Sequence, residues 1–244
     1  MSDRPTIAVV HPYWSFWEHT AGPIFRADRL ELTRSIASGF DDLVEPLVVA
    51  DVASVEDGAA LGQRLAEADP DAVLVLASMA VPPAYVLAAL EAVPRTPIVI
   101  WAVHEKGLAG GDFDHGGITT QGATVGAPML TNMLSRQGRP FDLVLGRISD
   151  ESVVARARSG ISLAGAAVLV RRARQGRVGR PLEGYLPVDL DPEALRAATG
   201  LTVGAVDPGE IVDAWRGGGP PGGVGVVGVR LGGGGRVGGR RAGG

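Results

Sequence analysis

Residues 11–19, His-Pro-Tyr-Trp-Ser-Phe-Trp-Glu-His, gather four of the chain's twelve aromatic side chains and two of its four histidines. Aromatic faces beside polar tips suit a sugar, whose C–H faces stack on the rings while its hydroxyls hydrogen-bond. The same residues could instead close the top of a core or lie between subunits, because an exposed apolar cluster of this size is unusual on a monomer. A second set is His104-Glu105-Lys106. It offers acid–base or hydrogen-bonding groups if it faces a ligand, and is otherwise a solvated loop. Asp112, Asp114 and His115 lie within the glycine-flexed stretch 110–117. They could hold a divalent metal, but the spacing is neither a zinc motif nor a calcium loop, and a turn held by Asp side chains accounts for them equally. Finally, Thr119-Thr120-Gln121-Gly122-Ala123-Thr124 runs into a helix start. Free backbone N–H groups and the positive end of the dipole gather there, with neutral side chains better matched to a polyol than to a nucleotide.

Several chemistries lack their residues. The only lysine is Lys106, so there is no P-loop, and no G-x-G-x-x-G follows the first strand. H-E-x-x-H and G-x-S-x-G are also missing. With no cysteine, disulfides, thiolate metal sites and Cys nucleophiles are excluded. Asp189 and Asp191 form a possible carboxylate pair, although helix capping explains Asp191 better.

The elements that must position these groups follow from apolar patterning. Ile7–Val10, Leu47–Ala50, Ala72–Leu76, Ile98–Val103 and Leu143–Leu145 are short Val/Ile/Leu runs without alternation, as in parallel strands covered on both faces. Amphipathic helical stretches lie between them: Arg29–Ser38, then Val55–Ala68 capped by Asp51 or Ser54, then Val81–Val93, then Val125–Gln137 closed by Gly138. Pro82 and Pro83 are tolerated in a first turn. This alternation predicts an α/β fold with a doubly wound, Rossmann-like parallel sheet over residues 1–149. Loops at the carboxyl ends of its strands are where ligands bind in such sheets, which favours residues 11–19, 104–106 and 119–126. A partial second α/β unit is expected over 150–215. It comprises a helix over Glu151–Gln175, a strand at Tyr185–Asp189, a short helix from Asp191 to Thr199 and a strand at Leu201–Val206.

Composition bounds the partners. The chain has 23 basic and 27 acidic residues. Residues 216–244 contain five of the arginines and no acid, so the remainder carries 18 against 27, near −9. That argues against a nucleic-acid surface. No secretory signal is evident, and the apolar stretch Val73–Leu90 is interrupted by Pro82-Pro83, so no membrane association and a cytoplasmic location are expected.

The segments Gly117-Ile118-Thr119-Thr120-Gln121-Gly122-Ala123, Met129-Leu130-Thr131-Asn132-Met133-Leu134 and Arg139-Pro140-Phe141-Asp142-Leu143-Val144-Leu145-Gly146 resemble the L-fucose/L-arabinose isomerase-like family. Residues 177–191 and the run into Val206-Asp207-Pro208-Gly209-Glu210 continue the likeness, which spans about residues 5–215. The resemblance implies the N-terminal part of an aldose–ketose isomerase that moves a proton through an enediol. Mn²⁺ would polarise the carbonyl of a pentose or deoxyhexose in a homo-oligomer. In that family the metal ligands and catalytic carboxylates come later in the chain, so none is assigned here. By position, Tyr13, Trp14, Trp17 and Gln121 are implied to face substrate, and His104 and Glu105 join them from the strand-end reading.

Arg216 marks a change of character. Asp207-Pro208-Gly209-Glu210 is a good helix start, but residues 216–244 hold 15 of the 36 glycines. The expectation is a domain cut within a helix and followed by a disordered or frameshifted Gly/Arg tail, inactive alone. A non-catalytic sugar-binding module and a product without its own function are the alternatives.

Overall fold

A computed structural model of the chain describes residues 4–105, 119, 121–179, 183–184 and 191–217. It forms two compact units, Met1–Ala173 and Arg174–Gly244.

The first unit is the expected doubly wound α/β fold. Strands β1 (Thr6–Pro12), β2 (Glu45–Val52), β3 (Ala72–Ala77), β4 (Ile98–His104) and β5 (Asp142–Arg147) form one parallel sheet in the order β2-β1-β3-β4-β5. The helices are α1 (Glu18–Ala21), α2 (Phe25–Ser38), α3 (Val55–Ala68), α4 (Pro83–Leu90), α5 (Ala123–Arg136) and α6 (Glu151–Arg172). One face of the sheet packs Val10, Val75 and Ile100 under Leu61 and Leu65 of α3, Leu90 of α4 and Leu134 of α5. The other packs Val9, Leu74 and Trp101 under Ile36 of α2 and Ala157 and Ile161 of α6. Both faces being covered is why β3 is apolar at every position and buried throughout.

Local chemistry sets the helix ends. Ser54, one of the two caps expected, accepts from the Asp57 N–H at 3.0 Å; Asp51 lies within β2 and is used elsewhere. Gly138, with φ +66°, takes the left-handed conformation that ends α5 without a Cβ penalty.

The boundary between units differs from the sequence expectation. The helix expected to open the second unit, α6, belongs to the first, because Ala157, Gly160, Ile161, Ala164, Gly165 and Val168 bury one stripe against the sheet. It ends at Arg172 rather than Gln175, and Arg174 and Gln175 enter a strand. Among the described residues α6 is the one helix long and apolar enough to cross a membrane by length and composition, yet that buried stripe is part of this core.

The second unit contains β6 (Arg174–Val178), α7 (Pro192–Thr199), β7 (Thr202–Val206) and α8 (Pro208–Gly217), with β6 and β7 paired in parallel. Asp191 caps α7, accepting from Glu193 and Ala194 N–H groups at 2.9 and 3.3 Å. Helix α8 runs two residues beyond Trp215. The strand expected at Tyr185–Asp189 and the Gly/Arg segment from residue 218 lie outside the described residues.

Candidate functional site

At the carboxyl end of the sheet, four segments enclose a cavity of about 560 Å³. Trp14 and Trp17 come from the turn after β1, Ala80–Pro83 from the link between β3 and α4, and His104 from the end of β4. Gln121, Thr124, Val125 and Met129 come from the start of α5 and its approach. Its position matches the rule for open α/β sheets, and its size falls among small-molecule pockets, about 300–1,000 Å³.

Each wall is held from behind. The Trp14 and Trp17 rings meet edge to face at 5.8 Å, and the Trp17 Nε1–H donates to the Ala80 carbonyl at 2.7 Å, fixing the indole to the 80–83 wall. Helix α5 reaches the same wall through Gly126, where an added Cβ would stand 2.1 Å from the Met79 carbonyl oxygen; only hydrogen fits there. The polar end is the His104–Gln121 pair, with Nδ1 of His104 2.6 Å from Oε1 of Gln121. An amide oxygen can only accept, so Nδ1 is the donor in this bond and Nε2 is the ring's other hydrogen-bonding atom.

The cavity thus brings together Trp14, Trp17, His104 and Gln121 of the six residues expected to bind substrate. Tyr13 and Glu105 are elsewhere. The Tyr13 ring is fully buried with Phe25, Met79 and Val81, and its hydroxyl donates to Glu18 at 2.7 Å. Burial and that neighbouring carboxylate push its ionisation well above the ordinary phenol range. The Glu105 carboxylate pairs with Arg29, a buried guanidinium of α2 that also lies over the Phe25 ring at 5.3 Å. Glu105 is therefore committed to neutralising a buried charge.

A second polar cluster sits at the same sheet end. His11 at the end of β1 donates from Nδ1 to Asp51 Oδ1 at 3.0 Å, and its Nε2 accepts from the Ser78 hydroxyl at 3.0 Å. Asp51 also takes Nε and one terminal nitrogen of Arg26 at 2.9 and 2.8 Å. The residues come from the ends of three adjacent strands, and β1–β2 register sets His11 directly opposite Asp51. The order Ser, His, Asp is that of a hydrolytic triad, but His11 and Ser78 are 1% and 2% exposed and neither lines the cavity. This cluster ties strands together.

Among the described residues no group of three or more His, Asp or Glu side chains is placed to hold a metal ion. Their donor set does not fit Mn²⁺. Lys106 and the loop bearing Asp112, Asp114 and His115 lie outside the described residues.

No family model and no curated protein matches the chain. Among solved structures, one from Bacteroides fragilis assigned as a LacI transcriptional regulator aligns over 84% of this chain and 77% of its own. The identity is 12% and the TM-score 0.28, too weak a likeness to bear on function.

Proposed function

We propose that the first unit is a sugar-binding α/β domain of the aldose–ketose isomerase type, holding a pentose or deoxyhexose in the cavity at the carboxyl end of the sheet. The observation that carries this reading is the meeting of two indoles with a polar pair in one pocket: Trp14 and Trp17 supply faces for the sugar's C–H surface, and His104 and Gln121 supply hydrogen-bonding groups. The chain's own residues bind and orient the sugar. The Mn²⁺ of the complete isomerase would polarise the sugar carbonyl, and no step is assigned to it because the described side chains do not form its site. The same observation favours a second reading, a non-catalytic sugar-binding module. Phe16, 51% exposed and stacked on Trp14 at 4.6 Å, fits contact between copies of the chain in a homo-oligomer.

Calorimetric titration with a panel of pentoses and deoxyhexoses, with and without Mn²⁺, tests the proposal. Saturable binding lost in His104→Ala and Trp17→Ala is expected. No heat with any sugar under either condition sinks it. Binding that ignores Mn²⁺ and yields no ketose agrees with a sugar pocket whose catalytic groups lie outside the chain; Mn²⁺-dependent turnover by the chain itself would overturn the expectation that it is inactive alone.

A further inference from the structure

The sheet has a second concave surface at its opposite end. The segments entering β4 (residues 94–97) and β5 (residues 139–142), together with the facing side of α6, enclose a groove of about 790 Å³. Part of its wall is apolar: Phe141 is partly buried against the core, while Leu163 is 67% exposed. Four arginines and one carboxylate line it.

Charge pairing in the groove is unequal. Arg156 reaches Asp142 at 3.4 Å. Arg139 directs both terminal nitrogens to the backbone carbonyls of Leu90 and Val93, each at 2.6 Å, and its Nε is buried without a partner among the described residues. Arg171 donates to the Arg95 carbonyl at 3.2 Å. Carbonyls satisfy hydrogen bonds but carry no net charge. The guanidinium charges of Arg95, Arg139 and Arg171 therefore meet no carboxylate among the described residues. Nearby Asp69 and Asp71 both bond Arg172, at 3.0 and 2.6 Å, which leaves one carboxylate charge against the three of Arg95, Arg139 and Arg171 and the groove with a positive excess. Burial also pulls the Arg139 pKa below its ordinary value, as expected for a cation held away from water.

We propose that this groove is a second ligand site, separate from the sugar cavity, for an amphipathic organic anion. The ligand is a carboxylate on an alkyl or aryl body, with its anionic end at Arg95 and Arg171 and its body laid along Phe141 and Leu163. Unpaired guanidinium groups select an anion, the apolar wall selects a hydrophobic body, and the enclosed volume suits a small molecule rather than a protein segment.

The test uses the full chain, titrated calorimetrically with decanoate and with decanol as its uncharged counterpart, both below aggregation. Decanoate is expected to bind one saturable site, with decanol weaker by about tenfold or more, the scale of one lost charge-assisted hydrogen bond. Arg171→Glu and Leu163→Asp each weaken decanoate by about tenfold. Both residues are exposed, so circular dichroism of either variant should match the parent. Trp17→Ala should leave decanoate affinity unchanged. Equal binding of decanol, non-saturable uptake, indifference to both groove substitutions, or loss in Trp17→Ala overturns the proposal.

Discussion

His11 and His104 end two strands of one sheet, on β1 and β4, and each directs Nδ1 to a neighbouring side-chain oxygen. They differ in what the second nitrogen meets. His11 Nε2 is closed off by Ser78, and the ring is 1% exposed; His104 is half-buried and lines a cavity, and its Nε2 has no partner among the described residues. A buried imidazole with both nitrogens used is scaffold, because its hydrogen bonds repay its burial. A half-buried one oriented by a single partner can act on something else. Residue type and strand-end position do not separate the two, whereas burial and the second partner do.

The comparison breaks first at His11. His11→Ala removes both bonds at once and leaves the buried Ser78 hydroxyl without its partner, while Asp51 keeps only Arg26. We expect a loss of about 3 kcal/mol in urea-unfolding free energy, the scale of a broken buried polar network. Ser78→Ala should cost less, since it removes the hydroxyl together with its need for a partner. If His11→Ala unfolds at the parent midpoint, the scaffold assignment is wrong.

How much of this was legible follows from distance along the chain. The central strands β1, β3 and β4 declared themselves because burial on both faces demands continuous apolar runs, a local requirement; the edge strands β2 and β5 carry apolar runs too, although Leu47, Val49, Leu143 and Leu145 are exposed. Trp14, Trp17, His104 and Gln121 could be expected to meet at one end of the sheet, where they line a common cavity, because strand-end loops converge in such a fold. His11's partners could not, since Asp51 and Ser78 lie 40 and 67 residues away and only strand register joins them. Tyr13 was misplaced because nothing in an aromatic loop says which ring turns inward. Glu105 was misplaced because its partner Arg29, read as part of an amphipathic helix, is buried. The 80–83 wall read as the start of a helix beginning at Val81; Pro82 instead holds extended backbone before α4 begins at Pro83, leaving a rigid strip beside the cavity.

Gly126 sharpens the contrast where the two clusters touch, since Met79 lies between Ser78 of the sealed cluster and Ala80 of the cavity wall. Gly126→Ala places a methyl against the Met79 carbonyl and forces α5 or the wall to move. A cost of about 2 kcal/mol is expected, typical of overpacking, with sugar affinity falling as Ala80 and Trp17 shift together. A variant with parent stability and affinity would show the approach to be looser than 2.1 Å implies. His104→Ala should be the reverse of His11→Ala. Its stability loss is about 1 kcal/mol, one hydrogen bond at a half-buried position, while sugar affinity drops about tenfold or more. Equal losses of stability in the two histidine variants would erase the distinction between them.

The smallest expected effect concerns an ion pair that ties elements together from the surface, as the His11 cluster does from within. Arg158 of α6 donates to Asp42 and, at 2.8 Å, to the Gly39 carbonyl, fastening the turn after α2. The hydrogen bond from Arg158, and then its charge, hold the Asp42 carboxyl below its ordinary range. A depressed folded-state pKa means that the folded form favours the ionised acid, so the contribution is complete above the unfolded pKa of about 4 and disappears as pH falls through the folded value. Both partners reach solvent, so salt screens the pair and its contribution is slight. Asp42→Asn should lower the melting temperature a little at about pH 7 in low salt, and the gap should close toward about pH 2. His11→Ala, whose cost comes from buried hydroxyl and carboxylate groups left short of hydrogen bonds, should remain less stable than the parent in high salt. A salt-insensitive Asp42→Asn effect, or a salt-erased His11→Ala effect, would place the two ties in the same class.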